Sequence, residues 1–415
     1  MKPTRNKFTI LKQVVERIPG YLVSKLSKKH GVDKRCRSIS PWSHVVSLVY
    51  TQLSHALSLN DVCDSLQNHS SALSTLRGAT APSRNGLSHA NRNRNADMAE
   101  ELFWSVLFNL QREHPTFGYG RKYRGIPRRF KRLINVVDST TISLVSNCID
   151  WAKHRRQKAA AKCHMMLDLH TFLPRFAVVK SAKSHDAKVA KSLCSGIKAG
   201  EIVVFDKAYV DFTHLHELHD RNVFWVTRAK DNMSYRVKKR NKCKGRILRD
   251  VLVRLDGQQS KEKFSENFRL IEAVVVVNKK DTIMTFITNN MDWSANSVCD
   301  LYKARWGVEV FFKQLKQTLQ LADFLGHNEN AVRWQVWTAL LTYILLRFIA
   351  FLGKWKGSFA RLFTTIRGVL WSRFDLFRLL KSYGTAEGRK RMHARPEQLY
   401  FPGLEQFFMG QHAYV

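Results

Sequence analysis

Acidic residues are scarce in this chain. Its 415 residues include 33 Asp and Glu against 69 Lys and Arg, a net charge of +36 at pH 7 and a pI near 10.2. So large a surplus repels itself and calls for a polyanionic partner, either nucleic acid or an anionic membrane surface. The cations run through the whole sequence rather than gathering in a tail. That excludes a basic extension on a neutral domain and favours phosphate contact over a broad surface. Paired carboxylates working on a neutral glycan are a poor match, because such a substrate gains nothing from the charge. Also missing is any C-x-x-C pair. The seven cysteines stand far apart, which argues against a zinc site or a disulfide framework and fits a reducing compartment. The opening MKPTRNKFTILKQ lacks the continuous apolar stretch of a signal peptide. Convincing repeats and low-complexity tracts are absent. The one membrane-like run, Trp337 to Leu352, is short and carries Arg347, so it reads as a buried helix.

The chain is long enough for two or three domains with a substantial core. Residues 1–117 read as helical throughout, with Pro41 at a first-turn position behind Ser40. Three short segments around LNDVCDSLQ, NHSSALSTLRG and SRNGLSHANRNRN resemble a helix-turn-helix region. Arg84, His89, Asn91, Arg92, Asn93 and Arg94 are its candidate DNA-facing side chains, against the plainer reading of a helical bundle with polar loops. Residues 118–132 form a densely basic linker, with Arg121, Lys122, Arg128 and Arg129 as candidate phosphate contacts. From residue 133 the pattern turns to β-branched runs and helices, an α/β arrangement with a mixed sheet. Residues 133–221 make its first part, and 222–292 read as a β-rich insertion containing a basic loop from Arg236 to Arg249. Residues 293–352 resume the α/β unit, and 353–415 form a C-terminal helical region.

Leu301 to Leu319, LYKARWGVEVFFKQLKQTL, reads as one helix behind a Ser294 cap. Leu301, Val308, Phe312, Leu315 and Leu319 form its core-facing stripe. Tyr302, Arg305, Glu309 and Lys316 line up beside that stripe, at helical spacing. Taken alone, such a row is more simply an edge of ion pairs. Gly307 inside the helix costs about 1 kcal/mol of propensity, which a purely structural helix has little reason to accept.

Three acids change the weighing. Asp138 and Asp206 each follow an apolar β-branched run, at strand ends where open α/β sheets place functional groups, and Glu309 lies on the helix. Asp168 also ends a strand and is a spare candidate, weighted lower because the reverse turn HTFLP follows almost at once. Three carboxylates in so basic a chain suit hard cations such as Mg²⁺. Two such ions support phosphoryl transfer by activating the attacking oxygen and stabilising the leaving one.

These residues resemble a known family. The spacing Tyr302-x2-Arg305-x3-Glu309-x6-Lys316 matches the YREK signature of bacterial insertion-sequence transposases of the DDE type, the IS-four family. NVVDSTTISL around Asp138 and VVFDKAYVDF around Asp206 are similar to its two aspartate blocks, and RWGVEVFFKQLKQTL to its glutamate block. The first hundred residues look like a helical domain that accompanies such enzymes. The resemblance implies an RNase H-like catalytic core with a β-rich insertion between the second Asp and the Glu, preceded by an all-helical domain. It implies Asp138, Asp206 and Glu309 as metal-binding catalytic residues for two Mg²⁺ ions, replaceable by Mn²⁺. It also implies Tyr302, Arg305 and Lys316 as contacts to the DNA strand near the cut. The expected partners are the inverted repeats at the element's ends and target DNA, with no membrane and a homodimer in the synaptic complex. The expected location is the bacterial cytoplasm, at the nucleoid. Some relatives pass through a DNA hairpin with a flipped base stacked on a tryptophan, for which Trp225 and Trp293 are candidates. Lys207-Ala208-Tyr209 departs from the Arg-containing version that some relatives have after the second Asp. Two other readings stay open here: an RNase H-fold nuclease that cuts without joining, and a non-catalytic DNA-binding descendant.

Overall fold

The computed structural model describes residues 4–34, 36, 39–117, 130–144, 159–181, 186–277, 280–319, 326 and 328–383. Arg121, Lys122, Arg128 and Arg129 lie outside them. The chain opens with seven helices, α1 (Ile10–Val15), α2 (Gly20–Lys29), α3 (Pro41–Ser54), α4 (Leu59–Asn68), α5 (Ser70–Ser74), α6 (Arg84–Asn93) and α7 (Asp97–Glu113). Their starts follow from short polar caps. The Ser40 hydroxyl accepts from the Ser43 amide ahead of Pro41, Ser58 and Asp61 form a reciprocal capping box, and Ser83 caps α6. Each cap satisfies an amide that the first turn leaves unpaired.

Strands β1 (Ile134–Leu144), β2 (Ala159–Asp168) and β3 (Pro174–Ser181) form an antiparallel meander. Helix α8 (Asp186–Leu193) leads to β4 (Ile202–Phe205), which pairs in parallel with β1. Helix α9 (Phe212–Asp220) then leads to β5 (Phe224–Arg228), in parallel with β4. Next come β6 (Tyr235–Arg240), β7 (Ile247–Leu255), α10 (Gln258–Lys263), β8 (Phe268–Val277) and β9 (Lys280–Thr288). All nine strands belong to one sheet, ordered β3-β2-β1-β4-β5-β9-β8-β7-β6. The β-rich stretch is therefore a lateral extension of the core sheet. It joins through β9, which pairs antiparallel with β5. β5, read with that stretch from the sequence, hydrogen-bonds directly to the core strand β4.

The expected single helix over Leu301–Leu319 is three pieces. Helix α11 (Ala295–Ala304), capped by Ser294 as anticipated, ends at Arg305. Helix α12 (Gly307–Lys313) follows, and Gln314–Thr318 is a π-helical turn. At the break the amides of Arg305, Trp306, Val308 and Glu309 bond to carbonyls three residues back, a tighter winding than α. Gly307 has a packing reason: a Cβ there would stand 3.2 Å from the Phe172 ring and 3.3 Å from Leu169 in the β2–β3 turn.

The chain then returns through α13 (Glu329–Leu352), α14 (Phe359–Arg367) and α15 (Leu376–Tyr383). α13 is long and apolar enough to cross a membrane by length and composition, yet 83% of its apolar window is buried. Trp334, Trp337, Tyr343 and Phe348 lie inside, against α3, α6, α7 and α14. Arg347 is accommodated by donating to the Thr171 carbonyl at 3.2 Å. One apolar core runs from the N-terminal helices through α13 to one face of the sheet. A second, built on α8, α9 and Phe264, covers the opposite face.

Candidate active site

Strand register brings the two aspartates together. Val137 of β1 lies beside Phe205 of β4 in the parallel pair, so the next residues, Asp138 and Asp206, are neighbours across the sheet. Asp206 ends its strand as expected and starts a single 3-10 turn. Asp138 instead sits inside β1, which runs on to Leu144 through its pairing with β2. The strand-end expectation for Asp138 fails because the antiparallel β2 supplies ladder partners beyond it.

The break between α11 and α12 delivers the other members. The Tyr302 hydroxyl donates to Asp206 Oδ1 at 2.9 Å. Arg305 donates from Nη1 to Asp138 Oδ2 at 2.6 Å and from Nη2 to Glu309 Oε1 at 3.2 Å. One guanidinium thus bridges the first and last of the three acids, and the phenol holds the second. The i,i+4 ion pair of the plainer reading is real, and the same arginine also spans to a strand 167 residues away in sequence. Arg305 is nearly buried while Glu309 is 60% exposed, so the site opens on the glutamate side. Lys316 stands on the π-helical turn, partly buried, and burial draws its ammonium below the ordinary range.

Electrostatics follow from this crowding. Burial pushes the Asp138 carboxyl up to about 6; Arg305 and the Ser139 amide work against that rise, while Asp206 and Glu309 add to it. Burial disfavours charge on Arg305, but the surrounding anions, Asp138 foremost, hold its pKa above the usual value. Burial raises Tyr302, with Asp206 adding to the rise, so it stays a neutral donor. Among the described residues no group of three His, Cys, Asp or Glu side chains is already gathered to ligate one ion. The donor set nevertheless fits a hard divalent cation. It offers carboxylate oxygens only, from two adjacent strand positions and one exposed helical residue, next to a site now balanced by a guanidinium.

Other candidates separate by burial. Asp168 is a turn former: its Oδ1 accepts from the His170 amide at 2.8 Å, and it pairs with Asn135 at the far end of β1 from Leu144. Trp225 is fully buried in β5, which removes it as a platform for a flipped base. Trp293 is half-buried between Phe130 and Phe224. In α6, Arg84, His89, Arg92 and Asn93 are exposed, whereas Asn91 is buried against His44 at 2.8 Å. Arg94 is turned to the Ile39 and Ser40 carbonyls. The sequence reading missed Asn85 and Ser88, which share the exposed face of α6; counting helical turns from Arg84 would have found them. In the basic linker Arg132 packs over Phe224 and donates to the Gly200 carbonyl at 2.8 Å, a structural task.

Comparison with known proteins identifies the family of the domain that carries these residues. Residues 129–345 match a family model described as a transposase DDE domain, and residues 6–76 match a domain of unknown function, DUF4372. The chain is similar to y4zB of Sinorhizobium fredii, a protein named as a transposase, with 30% identity over 69% of this chain and 81% of that one. It is 29% identical to a protein named as the transposase of insertion sequence element IS5377 from Geobacillus stearothermophilus, over 53% of this chain and 58% of that one. It is 25% identical to the transposase InsG for insertion sequence element IS4 of Escherichia coli, over 45% and 42%.

Proposed function

We propose a reaction for this chain from one premise: it belongs to the family of transposases that carry a DDE domain. It is a DNA-cleaving enzyme, and its family depends on divalent metal. The reaction assigned to it is cut-and-paste transposition. Each element end is cut by hydrolysis, and the freed 3′-hydroxyl then attacks a phosphodiester of target DNA. The observation that carries this reading is the meeting of Asp138, Asp206 and Glu309, from two strands and a helix, around Arg305 and Tyr302.

Asp138, Asp206 and Glu309 would hold the metal, two Mg²⁺ ions or Mn²⁺ in their place. When bound, those ions supply Lewis-acid activation of the attacking oxygen and charge stabilisation at the leaving one. The chain's own residues set the stage. Burial pushes the Asp138 carboxyl up to about 6, so above that pH it would meet a cation as a carboxylate. Arg305 and Tyr302 keep the two aspartates oriented until DNA arrives. With Asp138 and Glu309 engaged by a cation, Arg305 would be left as a buried, pre-positioned guanidinium able to donate to the phosphates of the engaged strand. Lys316, seven residues beyond Glu309, suits a second phosphate contact. The exposed face of α6, with Arg84, Asn85, Ser88, His89 and Arg92, has the amide and cationic donors of a groove-reading helix and is assigned to the inverted repeat. Holding two ends at once calls for two copies of the chain in the synaptic complex. The work belongs in the bacterial cytoplasm, where the DNA lies.

The test is direct. Purified protein with Mg²⁺ or Mn²⁺ should cut duplexes carrying the element's ends and join them to a plasmid target. Cutting without any joining, under conditions that keep the 3′-ends intact, would favour the nuclease reading.

A further inference from the structure

The β6–β7 hairpin is the most cationic stretch of the described fold outside the catalytic site. From Tyr235 to Arg249 it carries eight Lys and Arg among fifteen residues and no acid. Some of that charge is neutralised: Arg236 pairs with Asp256 and Arg249 with Glu272. Lys238, Lys239, Arg240, Lys242 and Lys244 are all exposed, and no carboxylate stands within ion-pair distance of them among the described residues. A bulge between Val237 and Lys239 turns the end of β6 outward, so that three consecutive cations face water.

The hairpin's position relative to the carboxylates gives this charge a direction. Arg246, at its tip, donates to Asn296 Oδ1 at 2.9 Å and to Asp300 Oδ1 at 2.6 Å, both on α11. α11 packs on β4, β5, β7 and β9, so the sheet curls around it. Two residues after Asp300 the same helix presents Tyr302 to Asp206. From Asn296 to Tyr302 is roughly 9 Å of helix axis, about the length of three nucleotides along one DNA strand.

We infer that the β6–β7 ribbon is a second DNA-binding surface, which holds the phosphate backbone of the duplex a few nucleotides from the scissile bond. The inference rests on the reading that the carboxylates engage a DNA strand. A two-stranded ribbon has the width to lie along a groove, and unpaired lysines on it neutralise phosphates without reading sequence. Tethering through Arg246 makes the contact positional, because DNA gripped at Lys242 and Lys244 is presented to α11. A rival explanation is that β6 is the sheet's edge and its lysines only block edge-to-edge pairing. That explains charges on the strand but not those in the turn, and it makes no demand on DNA.

The experiment combines Lys238→Gln, Lys239→Gln, Arg240→Gln, Lys242→Gln and Lys244→Gln in the full chain, with Lys242→Gln plus Lys244→Gln as a milder variant. Affinity is measured against salt, without divalent metal, on three duplexes: an element end, the same end extended by flanking DNA, and unrelated DNA. Five lost phosphate contacts should make the log–log salt slope shallower by about 4 to 5, and the double variant by about 2. Loss on the extended end alone assigns the ribbon to the flank. Loss on the bare end assigns it to the element, and loss on unrelated DNA to the target. Slopes within about 1 of wild type on all three duplexes, in variants that melt like wild type, overturn the proposal. Because no cleavage is needed, the two readings fail separately. Wild-type protein that binds with a steep slope but never cuts or joins sinks the transfer chemistry and keeps the ribbon.

Discussion

Two buried arginine–aspartate pairs in this molecule look alike and do opposite work. Asp250 on β7 meets Arg269 on β8 through two bonds, 2.7 Å to Oδ1 and 2.5 Å to Oδ2, and Arg269 also donates to the carbonyls of Met291 and Trp293. Burial alone would raise the Asp250 carboxyl, but the bonds from Arg269 and Asn241 outweigh it, and its pKa falls. Asp138 meets Arg305 through one bond and shares that arginine with Glu309; burial, with Asp206 and Glu309 adding to it, outweighs the arginine and lifts its pKa to about 6. Arg305 Nε is left buried without a partner. The first pair is closed and structural. The second is under-satisfied, which is the arrangement the proposed exchange of partners with a cation or phosphate would start from.

Breaking each pair should separate stability from chemistry. Asp138→Asn should cut cleavage about a thousand-fold or more by removing a metal ligand, with melting within a few degrees of wild type and end binding intact. Cleavage rates on end duplexes beside a thermal melt read both, and full activity would remove Asp138 from the triad. Arg269→Met should do the reverse, costing about 3–5 kcal/mol by leaving Asp250 buried and unpaired. Denaturant unfolding reads that loss, while any protein still folded should retain turnover.

The pairs also differ in their pH response. A raised folded pKa means that Asp138 contributes stability below about pH 4, where the carboxyl is neutral in both states, and loses that contribution as pH climbs towards 6. Asp250, with a lowered pKa, contributes above about pH 4 and loses its contribution as acid protonates it. Asp138→Asn should therefore flatten the melting profile between pH 4 and 6. Metal binding by the wild-type protein should weaken below pH 6 as a proton competes for Asp138, and an affinity level down to pH 4.5 would contradict this. A smaller effect is expected at the helix break. Gly307→Val would press on Phe172 and cost about 1–3 kcal/mol. Smallest of all, Lys316→Ala should weaken end binding a few-fold and make the salt slope shallower by about 1.

Much of this was legible beforehand. The caps at Ser40 and Ser294 and the strand runs before Asp138 and Asp206 are local patterns that survive folding. The broken helix at Arg305–Gly307 was not legible. Its apolar stripe fits continuous α winding, and the tighter turn answers to Phe172 and Leu169 in a distant hairpin. The membership of β5 in the core sheet was equally hidden, because a buried strand reads the same whichever neighbour it pairs with.

By itself the sequence determined the chemistry on offer: a polyanion-seeking charge, three acids on recognisable elements, and a helical row of phenol, guanidinium, carboxylate and ammonium. Only the tertiary structure decided that Arg305 bridges Asp138 and Glu309, and that the basic ribbon is tied to α11. Those decisions depend on strand register and on contacts across more than a hundred residues, which no periodicity within a single segment encodes.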